Sequence, residues 1–180
     1  MTTARQTQTD QIGNHNQAIF VIGVSGTGKS TIAKALSDAI DGNFLDADDF
    51  HSADNVASMA SGVPLTDDMR AGWLQDVCDA TLAQNTNTTV ACSALKKIYR
   101  DAIRARVANC RFVFLDVNTQ VLAQRIASRT AHYMPVGLLA SQLQTLQLPA
   151  PDETDIVTID GTLPIKAIIQ KAIVWHQLRV

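Results

Sequence analysis

Apolar runs alternate with segments whose apolar positions repeat every three to four residues along almost the whole chain. Residues 18–24 (AIFVIGV) form a continuous, β-branched run, the pattern of a parallel strand buried on both faces. Between Lys29 and Ile40 the aliphatic residues Ile32, Leu36 and Ile40 fall on one face, which predicts a helix, with Gly42 as its C-terminal stop. A short strand at 43–46 and a helix at 49–60 follow. After a loop at 61–65, Thr66 is the predicted N-cap of a longer helix with Asp67 and Asp68 in its first turn, where carboxylates suit the helix dipole. Trp73, Leu74, Val77, Cys78 and Leu82 mark its buried side.

The remaining pattern predicts strands at 89–92, 111–116 and 155–160, and helices at 94–107, 121–129, 138–146 and 164–178. The order β-α-β-α-α-β-α-β-α-α-β-α is that of an α/β protein with a parallel sheet covered by helices on both faces. Residues 1–17 are polar, lack the apolar core of a secretion signal, and read as a disordered tail, which leaves one domain over 18–180.

Gly23-Val24-Ser25-Gly26-Thr27-Gly28-Lys29-Ser30 fits the phosphate-loop pattern G-x-x-x-x-G-K-[ST], with the required strand before it and helix after it. Glycines let successive N–H groups turn inward toward phosphate oxygens, and the helix N-terminus adds its positive end. In such loops the lysine, here Lys29, reaches the terminal phosphates and the hydroxyl of the next residue, here Ser30, can ligate Mg²⁺. Thr31 completes the first turn. The chain has no N/T-K-x-D segment for reading guanine, and its third predicted strand ends Ala91-Cys92-Ser93 without an acid. Acids instead follow the second strand, in Leu45-Asp46-Ala47-Asp48-Asp49-Phe50-His51. There they would leave the C-terminal end of a strand, where open α/β sheets bind ligands. One of Asp46 and Asp48 could orient Mg²⁺ and the other accept a proton from an attacking hydroxyl.

Composition refines this picture. The 180 residues carry a net charge of −2, which argues against a nucleic-acid face. Residues 38–80 nevertheless hold ten acids against Arg70 alone, and residues 93–130 hold eight Lys or Arg against two Asp. Glu153 is the only Glu. Cys78, Cys92 and Cys110 are odd in number, lie in apolar stretches and match no metal spacing, so buried reduced thiols of a cytoplasmic protein are expected. No apolar run is long enough for a membrane span.

Several segments in register resemble the gluconate kinases. They are the phosphate loop, LDADDFH, residues 59–68 (MASGVPLTDD) with Arg70 and Trp73-Leu74, residues 92–97 (CSALKK) with Tyr99-Arg100, and Arg129, His132 to Met134, Leu138-Leu139, Ser141-Gln142 and Thr145-Leu146. The resemblance departs at Ala47, Met69, the 129–133 stretch and Gln147, where the family usually shows Gly, an acid, R-x-G-H-F and often Glu. It implies a P-loop kinase fold of three α/β/α layers, similar to nucleoside monophosphate and shikimate kinases, with a five-stranded parallel sheet and a helical lid at about 125–146. It also implies a cytoplasmic, commonly homodimeric enzyme that uses ATP and Mg²⁺ to phosphorylate D-gluconate at O6. A shikimate-type kinase or a non-catalytic nucleotide-binding module are the alternatives.

On this reading Gly23, Ser25, Gly26, Thr27, Gly28, Lys29, Ser30 and Thr31 bind the nucleotide. Arg125 and Arg129, four apart, close over phosphates or adenine, although Arg125 could equally be a solvated basic residue. Lys29, Asp48 and Arg129 are the catalytic candidates, and Ser30 and Asp46 the Mg²⁺ ligands, with Asp46 and Asp48 interchangeable. Gluconate, an anion with many hydroxyls, needs a cation and polar partners; Asp48, His51, Arg70, Lys96, Tyr99, Arg100 and His132 are the candidates. Trp73 is expected in the core.

Overall fold

The run at 18–22 forms β1 (Ala18–Ile22), the middle strand of a five-stranded sheet. The structure, a computed structural model, describes residues 16–128 and 136–177. Around β1 lie β2 (Asn43–Asp46), β3 (Thr88–Cys92), β4 (Cys110–Asp116) and β5 (Ile156–Asp160), all parallel in the order β2-β3-β1-β4-β5. The helices are α1 (Lys29–Ala39), α2 (Ala53–Ala60), α3 (Asp67–Leu82), α4 (Lys97–Arg106), α5 (Thr119–Ala127), α6 (Val136–Thr145) and α7 (Ile165–Gln177).

Each central strand divides its side chains between two cores. Phe20, Ile22, Val90, Cys92, Phe112 and Phe114 pack with Trp73, Leu74 and Val77 of α3 and Ile103 of α4. Ile19, Val21, Ala91, Val113 and Leu115 pack on the opposite face with Ile32 and Leu36 of α1 and Ile168 and Ala172 of α7. This double burial is why β1 is apolar without alternation. A third cluster at the C-terminal end of the sheet joins Val24 and Leu95 to Leu122 of α5 and Leu139 of α6. Ile22 lies level with Cys92, where β3 also ends, and with Phe114, two residues before the end of β4. The helices after β1 and β3 leave to opposite faces, and the crevice between them is where such sheets take ligands.

Most boundaries fall within two residues of the sequence reading, and three differ for a local physical reason. The predicted helix at 49–60 is broken: Ala47–Phe50 is a 3-10 turn capped by the Asp46 carboxylate on the Asp48 N–H, and α2 starts afresh at Ala53 behind the Ser52 cap. Short polar side chains that bond nearby backbone favour such local turns over a continuous helix. The helix predicted from residue 94 starts only at Lys97, because Ala94 has a φ of 36° and Lys96 is extended. At the end of α1 the left-handed residue is Asp41 (φ 51°), and Gly42 serves another purpose: a Cβ there would stand 2.5 Å from the Asn87 carbonyl oxygen. The Thr66 cap forms as predicted, accepting from the Met69 N–H at 3.2 Å.

Candidate active site

The phosphate loop joins β1 to α1, and Gly28, at φ 97°, takes the left-handed cap position that a larger residue would adopt only under strain. The Thr27 hydroxyl donates to the Val24 carbonyl at 2.9 Å and Lys29 Nζ donates to the same oxygen at 3.2 Å. Arg125 lies behind the loop, donating to the carbonyls of Gly26, Thr27 and Gly161 at 3.4, 3.3 and 3.0 Å. The Ser25 N–H donates to Gln142 Oε1 of α6 at 2.7 Å.

The loop forms one wall of a cleft of about 370 Å³. Ser25, Gly26, Gly28, Lys29, Ser30 and Thr31 line it on one side, and Asp46, Asp48, Asp49, His51 and Arg70 on the other. Gly23 and Thr27 support the loop from outside this lining; Thr27 is buried. The Asp46 carboxylate is held by the Asp48 N–H at 3.2 Å, whereas the Asp48 side chain is 82% exposed. His51 stacks on Trp73 with ring centroids 4.5 Å apart, and its Nε2 lies 3.9 Å from Asp48 Oδ1. Burial pushes the His51 imidazole below its ordinary range against the pull of Asp48, and Arg70 adds to the lowering. Trp73 is core, as expected, and its Nε1 also donates to the Ala47 carbonyl at 2.6 Å, tying α3 to the 3-10 turn that carries Asp48.

The predicted acceptor residues separate into groups. Arg70 lines the cleft and donates to the Leu65 carbonyl at 2.6 Å and to the Tyr99 hydroxyl oxygen at 3.3 Å. Lys96 and Tyr99 meet on the Asp67 carboxylate, Lys96 Nζ at 2.7 and 2.8 Å and the Tyr99 hydroxyl at 2.5 Å. The Lys96 hydrogen bond, with that of Tyr99, holds the Asp67 carboxyl below its usual range. Arg100 corrects the sequence reading. Its side chain is 1% exposed and makes a two-pronged pair with Glu153, at 2.8 and 2.6 Å, so no part of it is left for a substrate. Its remaining nitrogen donates to the carbonyls of Ala94, Leu95 and Gln147. Arg129 and His132 lie outside the described residues.

A second cleft of about 330 Å³ lies on the far side of the loop. It shares Gly26, Gly28 and Thr31 with the first and adds Arg125, Ser128, Gly161 and Leu163. The two clefts therefore meet at the phosphate loop.

Residues 19–149 match the family model described as an AAA domain. The chain is 40% identical over 164 residues to the thermoresistant gluconokinase of Escherichia coli (strain K12), covering 89% of this chain and 94% of that one. The chain belongs to the gluconokinase family. A crystal structure of a gluconokinase from Sinorhizobium meliloti superposes at a TM-score of 0.80 with 39% identity, covering 89% of this chain and 91% of that one. Shikimate kinase from Aquifex aeolicus shares the fold alone, with a TM-score of 0.56 at 16% identity, covering 89% of this chain and 96% of that one.

Within this gluconokinase-family site, sequence reasoning missed three partners. Asp67 was read as a helix start, yet it gathers Lys96 and Tyr99. Asn55 of α2, buried, reaches His51 Nδ1 at 3.4 Å and the Met69 carbonyl at 3.3 Å, and nothing in a polar residue on a surface-like helix signals that. Gln142 was part of the resemblance without a role; its contact with Ser25 spans 117 residues and no local pattern could place it. Gln147, where the family often has Glu, accepts the Lys97 N–H at 2.8 Å and so caps α4 as a neutral amide.

Proposed function

We propose that this chain transfers the terminal phosphoryl group of ATP to O6 of D-gluconate, giving 6-phospho-D-gluconate and ADP. The observation that carries the reading is that Lys29, Ser30, Asp46, Asp48 and Arg70 all open onto one cleft. Phosphoryl transfer asks mainly for positioning and charge neutralisation, and this cleft has both. Lys29 and the loop N–H groups hold the terminal phosphates. Asp48, exposed at the mouth, accepts the proton of the attacking hydroxyl. Arg70 takes the gluconate carboxylate, and His51, which lines the cleft and whose imidazole burial pushes below its ordinary range, bonds hydroxyls of the polyol. Lys96 and Tyr99 act through Asp67, fixing the α3–α4 side of the acceptor site. Arg125 with Gly161 and Leu163 borders the base and ribose end.

The residues present fit Mg²⁺. Among the described residues no three His, Cys, Asp or Glu side chains form a metal cage. Ser30 and Asp46 nevertheless line one cleft with Lys29, and an ion held chiefly by phosphates and water needs only one or two such protein oxygens. Ser30 and Asp46 would supply those oxygens, and the bound ion would neutralise charge on the phosphates. Among the described residues no helix is long and apolar enough to cross a membrane. The reading is completed by a cytoplasmic homodimer; Gln17, expected in a tail, instead belongs with the domain, its carbonyl accepting the Thr88 N–H at 2.9 Å.

The test is ADP release by the purified full chain, measured by a coupled assay with gluconate, shikimate and other sugar acids. Turnover with gluconate well above the rest is expected. Strong turnover with shikimate alone would make it a shikimate-type kinase, and no turnover with any acceptor would make it a binding module.

A further inference from the structure

Gln142 reaches from α6 to the phosphate loop and accepts the Ser25 N–H on Oε1 at 2.7 Å. The orientation of its amide follows from chemistry, since a backbone N–H only donates and must be met by the oxygen. The amide nitrogen, with two N–H donors, therefore points the other way from the same planar group. Among the described residues its side chain makes no other hydrogen bond. Ser25 and Gln142 both line the cleft that holds Asp46, Asp48 and Arg70, and neither lines the second cleft behind the loop. Ser25 thus marks the end of the loop nearest the acceptor, where the group in transit must lie.

We propose that Gln142 recognises the terminal phosphoryl group of ATP. Oε1 stays on the Ser25 N–H, and the amide nitrogen donates to an oxygen of that phosphoryl group. The inference rests on the ATP-dependent reading above and adds a phosphate ligand contributed from α6. A hydrogen bond to an ionised phosphate is about twice as strong as a neutral one, so the contact distinguishes ATP from ADP, which lacks the receiving oxygens. It also couples the position of α6 to the state of the nucleotide.

The experiment is calorimetric binding of ATP and of ADP, each with Mg²⁺ and without any acceptor, to the full chain and to Gln142→Glu and Gln142→Met. Glu keeps the length and the acceptor for Ser25 but sets a negative charge where the donors were. Met keeps the length and removes both functions. ATP affinity is expected to fall about tenfold or more in Gln142→Glu and severalfold in Gln142→Met, with ADP affinity within about twofold in both. Equal losses for the two nucleotides, or no loss for ATP, would overturn the proposal; should the Glu variant fail to fold, the Met variant decides alone by the same criterion. Because no acceptor is present, failure of the gluconate assay and failure of this contact are separate results.

Discussion

Asp46 and Asp48 stand two positions apart and do different local work. Asp46 spends a carboxylate oxygen on the Asp48 N–H and so shapes the turn, while the Asp48 carboxylate stays free at the cleft mouth beside His51. This geometry favours Asp48 as the base, an assignment that sequence spacing alone left open. Asp48→Asn is expected to bind ATP normally and to lose about 10²- to 10⁴-fold in turnover, the usual contribution of a positioned base. Nucleotide titration alongside steady-state kinetics checks this, and undiminished turnover would move the base elsewhere. At this scale the sequence was most legible where chemistry is written in consecutive residues. The phosphate loop is a backbone conformation, and its glycines declare it. Arg100 was misread because its partner, Glu153, lies 53 residues onward and no local rule couples them.

Among the elements, α4 shows what long-range pairing does to a helix. Arg100 and Arg104 project from it toward Glu153, and Arg104 continues to Asp155 and Asp101, so α4 is pinned to the segment that leads into β5. Burial alone would push the Glu153 carboxyl up, but hydrogen bonds from Arg100, the Ala150 N–H and Arg104 hold it down at about 2. A carboxyl whose folded pKa is depressed stabilises above its unfolded value and loses that contribution as the pH falls toward the folded one. Acid titration should therefore weaken the fold between about pH 4.5 and about pH 2, the ordinary and folded values of this group. Glu153→Gln should cost about 3–5 kcal/mol at neutral pH by leaving Arg100 buried without a counter-charge, and should flatten that acid transition. Denaturant melts at several pH values measure both. Helix and strand order was readable from periodicity, whereas the starts of α2 and α4 were not. Both are set by side chain–backbone bonds and by a left-handed Ala94, which leave apolar spacing unchanged.

At the scale of the whole molecule, the acidic and basic halves of the sequence do meet, though largely away from the cleft. Asp67 binds Lys96, and Asp79 pairs with Arg106, so the split serves first to join α3 to α4. The cleft keeps Asp46, Asp48 and Asp49 together with Lys29 and Arg70. The three cysteines are free and buried, in α3, β3 and β4, as the sequence implied. Burial pushes the Cys78 thiol up to about 11 and those of Cys92 and Cys110 to about 12. Alkylation of the native protein at neutral pH should be negligible, become complete on denaturation, and slow further when MgATP is bound. Mass spectrometry of labelled protein reads this out, and labelling of the native chain at the rate of a free thiol would contradict it.

The phosphate loop is a partition between two clefts whose remaining walls come from different parts of the chain. One draws on the turn after β2 and on α2, α3 and α6, the other on α5 and the approach to α7. Under the proposed reading, mutation in the turn after β2 or in α2 and α3 can therefore retune the acceptor without disturbing the base and ribose end. A fold arranged in this way can diversify its chemistry by drift on one side of a fixed loop.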